Sequence, residues 1–265
     1  MPPRRRALLL LAGMALLAAG AGAWRLLQRG GQVPAGGEPP GRAAAPEGGA
    51  ADEAASFGGR ATVAERVAQC GKAARGRQAA AFRAAGVSYP PARFLLAGFK
   101  AERALHLFAA DPGRPLAFVK AYPILAASGT LGPKLREGDR QVPEGFYRIE
   151  SLNPNSLFHL SLRLDYPNAA DRARGRADGR TSLGGDIMIH GGNASIGCIA
   201  VGDVAIEDLF VLAADAGWDK ARVVLSPVDF RARTMPSDFS PPTPWTAALH
   251  ADLREAVSGL PRARR

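Results

Sequence analysis

The sequence predicts a mainly β domain, a sandwich or open barrel with one helix after a loop and another ahead of the strands. Three observations predict it. Between residues 88 and 230 several short apolar runs are separated by Pro, Gly and polar turns. One of them, 157–164, alternates strictly between apolar and polar side chains. One stretch, beginning at Asp203, carries helical spacing instead. Spaced strands with turn signals and an embedded helix are the pattern of a sandwich or barrel with helical additions.

The elements follow in order. Residues 61–85 are Ala- and Arg-rich, with Val63, Val67, Cys70 and Ala74 at helical spacing and Gly86 as a stop. Cys70 on that face reads as a small core residue. Pro90-Pro91 opens the strand region, and 93–100, 104–110 and 116–122 read as strands. The turn Val142-Pro143-Glu144-Gly145 leads into a short strand over 145–150. In 157–164, Phe158, Leu160, Leu162 and Leu164 are expected to face the core, with His159, Ser161 and Arg163 facing water. Residues 186–190 form a further strand, with Ile187 and Ile189 on one face and Met188 and His190 on the other. Asp203 is expected to cap a helix in which Ile206, Leu209, Phe210 and Ala213 line one face and Gly217 ends it. A late strand covers 222–225.

The ends differ from the middle. Arg4, Arg5 and Arg6 precede an uncharged Leu/Ala-rich run over 7–24, and Ala21-Gly22-Ala23 has the form of a cleavage site. Residues 1–29 therefore read as a signal peptide or a signal anchor, which predicts export to the periplasm, free or held at the inner membrane. Residues 30–59 hold much Gly and Pro and few large apolar side chains, so they read as a flexible linker. The helix occupies 60–87, the strand-rich domain 88–230, and 231–265 is a Pro/Arg-rich C-terminal extension.

The net charge is +10, part of it in the arginines of the tails. A basic exported chain suits anionic headgroups or an acidic polymer. Nucleic acid is not expected, because no basic stripe interleaved with aromatics and no helix-turn-helix signature is present. Two cysteines, Cys70 and Cys198, exclude a disulfide scaffold. No metal site is expected, since His106, His159, His250 and Cys70 have no spacing that builds a cluster with His190 and Cys198.

The segment from Gly185 to Cys198, GDIMIHGGNASIGC, carries the chemistry. A strand delivers His190 at its end, and a loop of small residues returns to Cys198 just ahead of a helix. A thiol is a weak nucleophile until deprotonated, and a neighbouring imidazole can take that proton and return it to a leaving amine. Gly197 permits an unusual dihedral, and the N–H groups of Gly197 and Cys198 can form an oxyanion hole. The bare Cys/His pair leaves an inert core thiol equally open.

Ile189-His190-Gly191 followed by Ser195-Ile196-Gly197-Cys198 resembles the signature of the L,D-transpeptidase (YkuD-like) family. The stretch VPEGFYRI from Val142 to Ile149 is similar to the family's Pro-x-Gly strand. Ser128–Lys134, Asn153–Ser156 and Asp165–Asn168 are similar to its YafK-type branch. So are two departures from the commoner pattern: a short His-to-Cys loop, and Ala200 where many members carry Arg or Asn.

The resemblance implies a YkuD-like sandwich and a cysteine acyl-transfer enzyme acting on peptidoglycan stem peptides, without metal or organic cofactor. In it Cys198 is the nucleophile and His190 the base, while Ser195 and the Gly191 carbonyl orient the imidazole. Arg148 and Arg163 are candidates to pair with substrate carboxylates, and His159 to line the groove. The thioester would pass to an amine, forming a cross-link, or to water, releasing a stem residue or a peptidoglycan-linked lipoprotein. A non-catalytic cell-wall binding protein is the remaining alternative.

Overall fold

The structure is a computed structural model and describes residues 60–262. The expected signal segment and linker lie outside the described residues. Along the chain run α1 (Val63–Ala85), β1 (Arg93–Phe99), β2 (Ala104–Ala110), β3 (Ala117–Pro123), β4 (Ala126–Ala127), β5 (Gly145–Tyr147), β6 (Ile149–Ser156) and β7 (His159–Leu164). Then come α2 (Ala169–Ala177), β8 (Met188–His190), β9 (Ile199–Ala200), α3 (Asp203–Ala216), β10 (Ala221–Ser226) and α4 (Thr246–Ser258).

The strands form two five-stranded mixed sheets, ordered β3-β2-β1-β10-β5 and β4-β9-β8-β7-β6. The first is closed by a long-range parallel pairing, in which Phe94 of β1 faces Ala221 of β10 and Phe99 faces Ser226. The second carries the segment from β8 to β9. Leu96, Leu105 and Val223 from the first sheet share one core with Leu160, Leu162 and Ile189 from the second and with Phe210 of α3.

Helix α1 forms where its spacing predicts. Thr62 and Glu65 make a reciprocal capping box at its start, and Gly86 ends it in the left-handed conformation at φ 68°. Gly71, Ala74, Gln78, Phe82 and Ala85 make one buried stripe. The stripe packs on α3, and ion pairs lock the crossing. Arg77 Nε lies 2.7 Å from the fully buried Asp208 carboxylate, which also meets Lys120 Nζ at 3.0 Å. Cys70 is half-buried against the core, its thiol donating to Arg66 O at 3.0 Å, and both cysteines are free thiols.

Several elements depart from the sequence reading. The alternating strand begins at His159, not 157, so Leu157 and Phe158 stand at the β6–β7 turn, 98% and 42% exposed. Ser161, expected in water, is buried because its face of β7 is covered at the β8 pairing, where it sits opposite His190. The strand expected over 186–190 shortens to three residues, with Asp186 in the left-handed region at φ 53°. Asp203 is not the cap of α3. Gly202 holds that position without a side-chain bond, and Asp203 is the first helical residue. Helix α2 carries its own capping box from Asn168 and Asp171, which the sequence reading passed over. The C-terminal stretch folds back as α4, burying Leu249, Leu253, Ala256 and Val257 on one stripe. Among the described residues, no helix is long and apolar enough to cross a membrane.

Candidate active site

The register of β8 and β9 sets the candidate residues on one face. In β8, Ile189 pairs with Ile199 and His190 with Ala200 of the parallel β9. One step back, the same register sets Cys198 beside Met188. Side chains alternate along a strand and match across a pair, so Met188, His190, Cys198 and Ala200 share one face of the second sheet. The opposite face carries Ile189 and Ile199 into the core. Cys198 does not sit directly ahead of a helix, because β9 and Gly202 intervene before α3.

His190 is buried, and its Nδ1 lies 2.6 Å from Gly191 O. A carbonyl only accepts, so Nδ1 carries the proton in that bond. Nε2 then holds the lone pair that a base needs. Burial pushes the imidazole below its ordinary pKa, opposed by the Gly191 carbonyl. Phe158 stacks on the ring, with centroids 4.6 Å apart and planes 28° from parallel.

Burial likewise pushes the Cys198 thiol above its ordinary value; the Met188 N–H opposes this, the Asp186 charge adds to it and Lys134 opposes it. The Sγ donates to Asp186 O at 3.4 Å. Both directions favour a neutral thiol beside a neutral imidazole over an ion pair. A neutral thiol and a neutral imidazole are the protonation states that general-base catalysis starts from.

The loop between them is held by its own contacts. Ser195, expected to orient the imidazole, instead ties the turn. Its Oγ donates to Cys198 O at 2.7 Å and accepts from Ser128 N at 3.0 Å and from Gly197 N at 3.3 Å. The Gly197 N–H expected in an oxyanion hole therefore leans on Ser195 here. Gly197 itself takes φ 123°, a conformation that disfavours a side chain. Asp203 Oδ1 accepts the Gly192 N–H at 2.8 Å, which pins the loop to the start of α3.

The arginines expected to meet substrate carboxylates are committed elsewhere. Arg148 pairs with Asp165 at 3.3 Å. Arg163 bonds Glu150 at 2.7 Å and also pairs with Asp186, whose carbonyl faces the thiol. His159 does not reach into the groove either: its Nε2 lies 3.1 Å from Glu207 Oε1 of α3. Among the described residues no group of three or more His, Cys, Asp or Glu could hold a metal ion.

Sequence reasoning missed Phe158, Asp203 as a loop anchor, Ser128 and Asp186. Phe158 reads as a core residue of an alternating strand, and the two residues of the turn that lifts it out, Leu157 and Phe158, are both large and apolar. The Asp203 carboxylate gives the same signal as an N-cap.

Residues 105–225 match the model of the YkuD family, described as the L,D-transpeptidase catalytic domain. That region makes up a little under half of the chain. The fold around it is accordingly YkuD-like, with two mixed sheets and added helices. Over 114 residues the chain is 40% identical to the Escherichia coli (strain K12) protein provisionally named L,D-transpeptidase YafK, a match covering 42% of this chain. The chain spans 44% of the length of that relative. Among solved structures, the helical cell shape determining protein Pgp2 of Campylobacter jejuni superposes with TM-score 0.41 at 24% identity, covering 51% of this chain and 48% of the other. L,D-transpeptidase 1 of Mycobacterium tuberculosis superposes at 0.29 with 13% identity, covering 50% and 61%.

Proposed function

We propose that the YkuD domain is a cysteine acyl-transfer enzyme acting on peptidoglycan stem peptides. The observation that supports this best is the register placing His190 and Cys198 on one face, with the imidazole tautomer set by Gly191. As the thiol attacks, its proton passes to His190 Nε2 and sulfur bonds to the carbonyl carbon of an L-to-D peptide bond. The carbon–nitrogen bond breaks, and the amine leaves with the proton from His190. The resulting thioester is resolved by an incoming amine, whose proton returns through His190 to the sulfur. The amine route is the L,D-transpeptidase reaction, in cell-wall cross-linking or remodelling.

A second outcome of the same thioester is hydrolysis, which would release a stem residue or a linked lipoprotein. It is favoured by Ala200, which stands paired with His190, is fully buried and offers no polar group to an acceptor. The basic, apolar N-terminus supports work in the periplasm, with membrane attachment through that segment if it is retained. The test is digestion of protein-linked sacculi with the full chain and with Cys198→Ala. New cross-linked dimers are expected for transfer, and released stems without dimers for hydrolysis. No product difference between the two chains would sink both.

A further inference from the structure

We infer that Phe158 is a positioning residue for the base, holding the His190 imidazole in place and shielding it from water; this rests on the reading of His190 as the base. The ring is a large apolar side chain left 42% exposed at a turn, while the imidazole under it is 3% exposed. A single exposed apolar side chain is ordinary on a protein surface; what marks this one is the group beneath it. Here it covers the imidazole in a near-parallel stack at 4.6 Å.

The backbone holds the ring there. Phe158 O accepts from Leu160 N at 3.0 Å, which tightens the turn, and His159 takes a positive φ of 71° to complete it. Two glycines make room beneath. A Cβ at Gly191 would lie 2.6 Å from Phe158 O, and one at Gly192 would lie 3.3 Å from Phe158 Cδ1. The loop after His190 can therefore pass under Phe158 only as Gly191-Gly192. Gly191 N donates to Leu160 O at 3.2 Å, so the turn and the loop move as one piece.

The titratable and charged groups on the elements packed around β8 are His159 and Arg163 on β7, Asp203, Glu207, Asp208 and Asp215 on α3, Cys198 ahead of β9 and Asp186 just before β8; Arg163 pairs with Glu150 and Asp186, and Asp215 with Arg75. His159 and Glu207 are paired together, Asp208 is held by Arg77 and Lys120, and Asp203 is bonded to the Gly192 N–H. The imidazole's shift arises from burial and, against it, the Gly191 carbonyl. Phe158 is the aromatic ring stacked on the imidazole, and on this inference it supplies part of that burial.

The experiment compares wild type, Phe158→Ala and Phe158→Tyr. Nitrogen NMR of the His190 ring reads its pKa and tautomer, and sacculus turnover is followed against pH. Phe158→Ala is expected to raise the imidazole pKa toward the ordinary ~6.5 and to mix the tautomers. It should also lower kcat on the order of tenfold with little change in KM. Phe158→Tyr should restore all of these. An unmoved imidazole in Phe158→Ala, or a loss confined to KM, would overturn the inference. If the wild type acts on no sacculus, the functional reading fails while the NMR titration still decides the role of Phe158.

Discussion

At the residue scale, the state of the Cys198–His190 pair follows from burial. Water stabilises charge, and both groups are withdrawn from it, so the thiol shifts up and the imidazole down. Alkylation of resting Cys198 by iodoacetamide is therefore expected to rise only above the free-thiol range of ~8.5. Turnover needs only a neutral imidazole, so its acid limb should lie below the ordinary histidine value of ~6.5. The two profiles are predicted to be well separated. A common limb in the acid range would mean that a thiolate–imidazolium pair exists at rest. The paired arginines belong to this scale too. Arg163 reads as a free guanidinium in the sequence, yet its partners Glu150 and Asp186 lie 13 and 23 positions away.

At the scale of elements, the site is a junction of β8, β9, the β6–β7 turn and the first residue of α3. The small residues between His190 and Cys198 are what let these parts approach. Gly191→Ala would bring a methyl group to 2.5 Å from Asp203 Oδ1 and 2.6 Å from Phe158 O. The second neighbour is backbone and cannot swing aside. We expect a loss of about 1–3 kcal/mol in stability, typical of overpacking, together with loss of turnover. Denaturant unfolding of the variant checks the first, and its activity at matched folded fraction checks the second. Wild-type stability would show that the β6–β7 turn is free to move. The turn itself was hidden in the sequence. The alternation from Phe158 to Leu164 is real as a pattern, but the hairpin closes at His159 and lifts its first apolar residue onto the imidazole.

At the scale of the whole molecule, the C-terminal helix is built into the domain. His250 of α4 places Nε2 2.7 Å from Glu144 Oε2. The other oxygen of that buried carboxylate meets Lys100 Nζ at 3.1 Å and accepts from Gly132 N at 2.7 Å. Burial alone would raise Glu144, but His250, Lys100 and the Gly132 N–H together hold it below the usual carboxylate value. A carboxyl depressed on folding adds stability that is fully present above its unfolded value of ~4.3 and is lost as pH falls through the folded one. Glu144→Gln leaves Lys100 and His250 facing a neutral amide, and we expect a cost of about 3–5 kcal/mol at neutral pH. That deficit should shrink in acid below about pH 4. Thermal unfolding of both chains against pH is the check, and a deficit that stays constant would remove Glu144 as its source. The same cluster holds Gly132 and Glu144, in the segment that follows Ser128, the residue bonded to Ser195.

The sequence by itself determined most of the periodic elements and the likeness of the central region to the YkuD family, and it singled out Cys198 and His190 as candidates. Those features are local: helical spacing in α1 and α3, alternation in β7, and a short motif whose residue types and order carry the chemistry. Tertiary structure alone decided what surrounds them. Whether Asp203 caps a helix or anchors a loop depends on Gly192 lying beside it. Whether Ser195 orients an imidazole or ties a turn depends on Ser128, 67 positions earlier. Helix α4 carries a legible apolar stripe, but its surroundings are Pro- and Arg-rich, and only the buried Glu144 shows where it docks. Periodicity reports which way a side chain points along its own element. It does not report which distant group occupies the space there, and that occupancy sets the protonation and posture of the site.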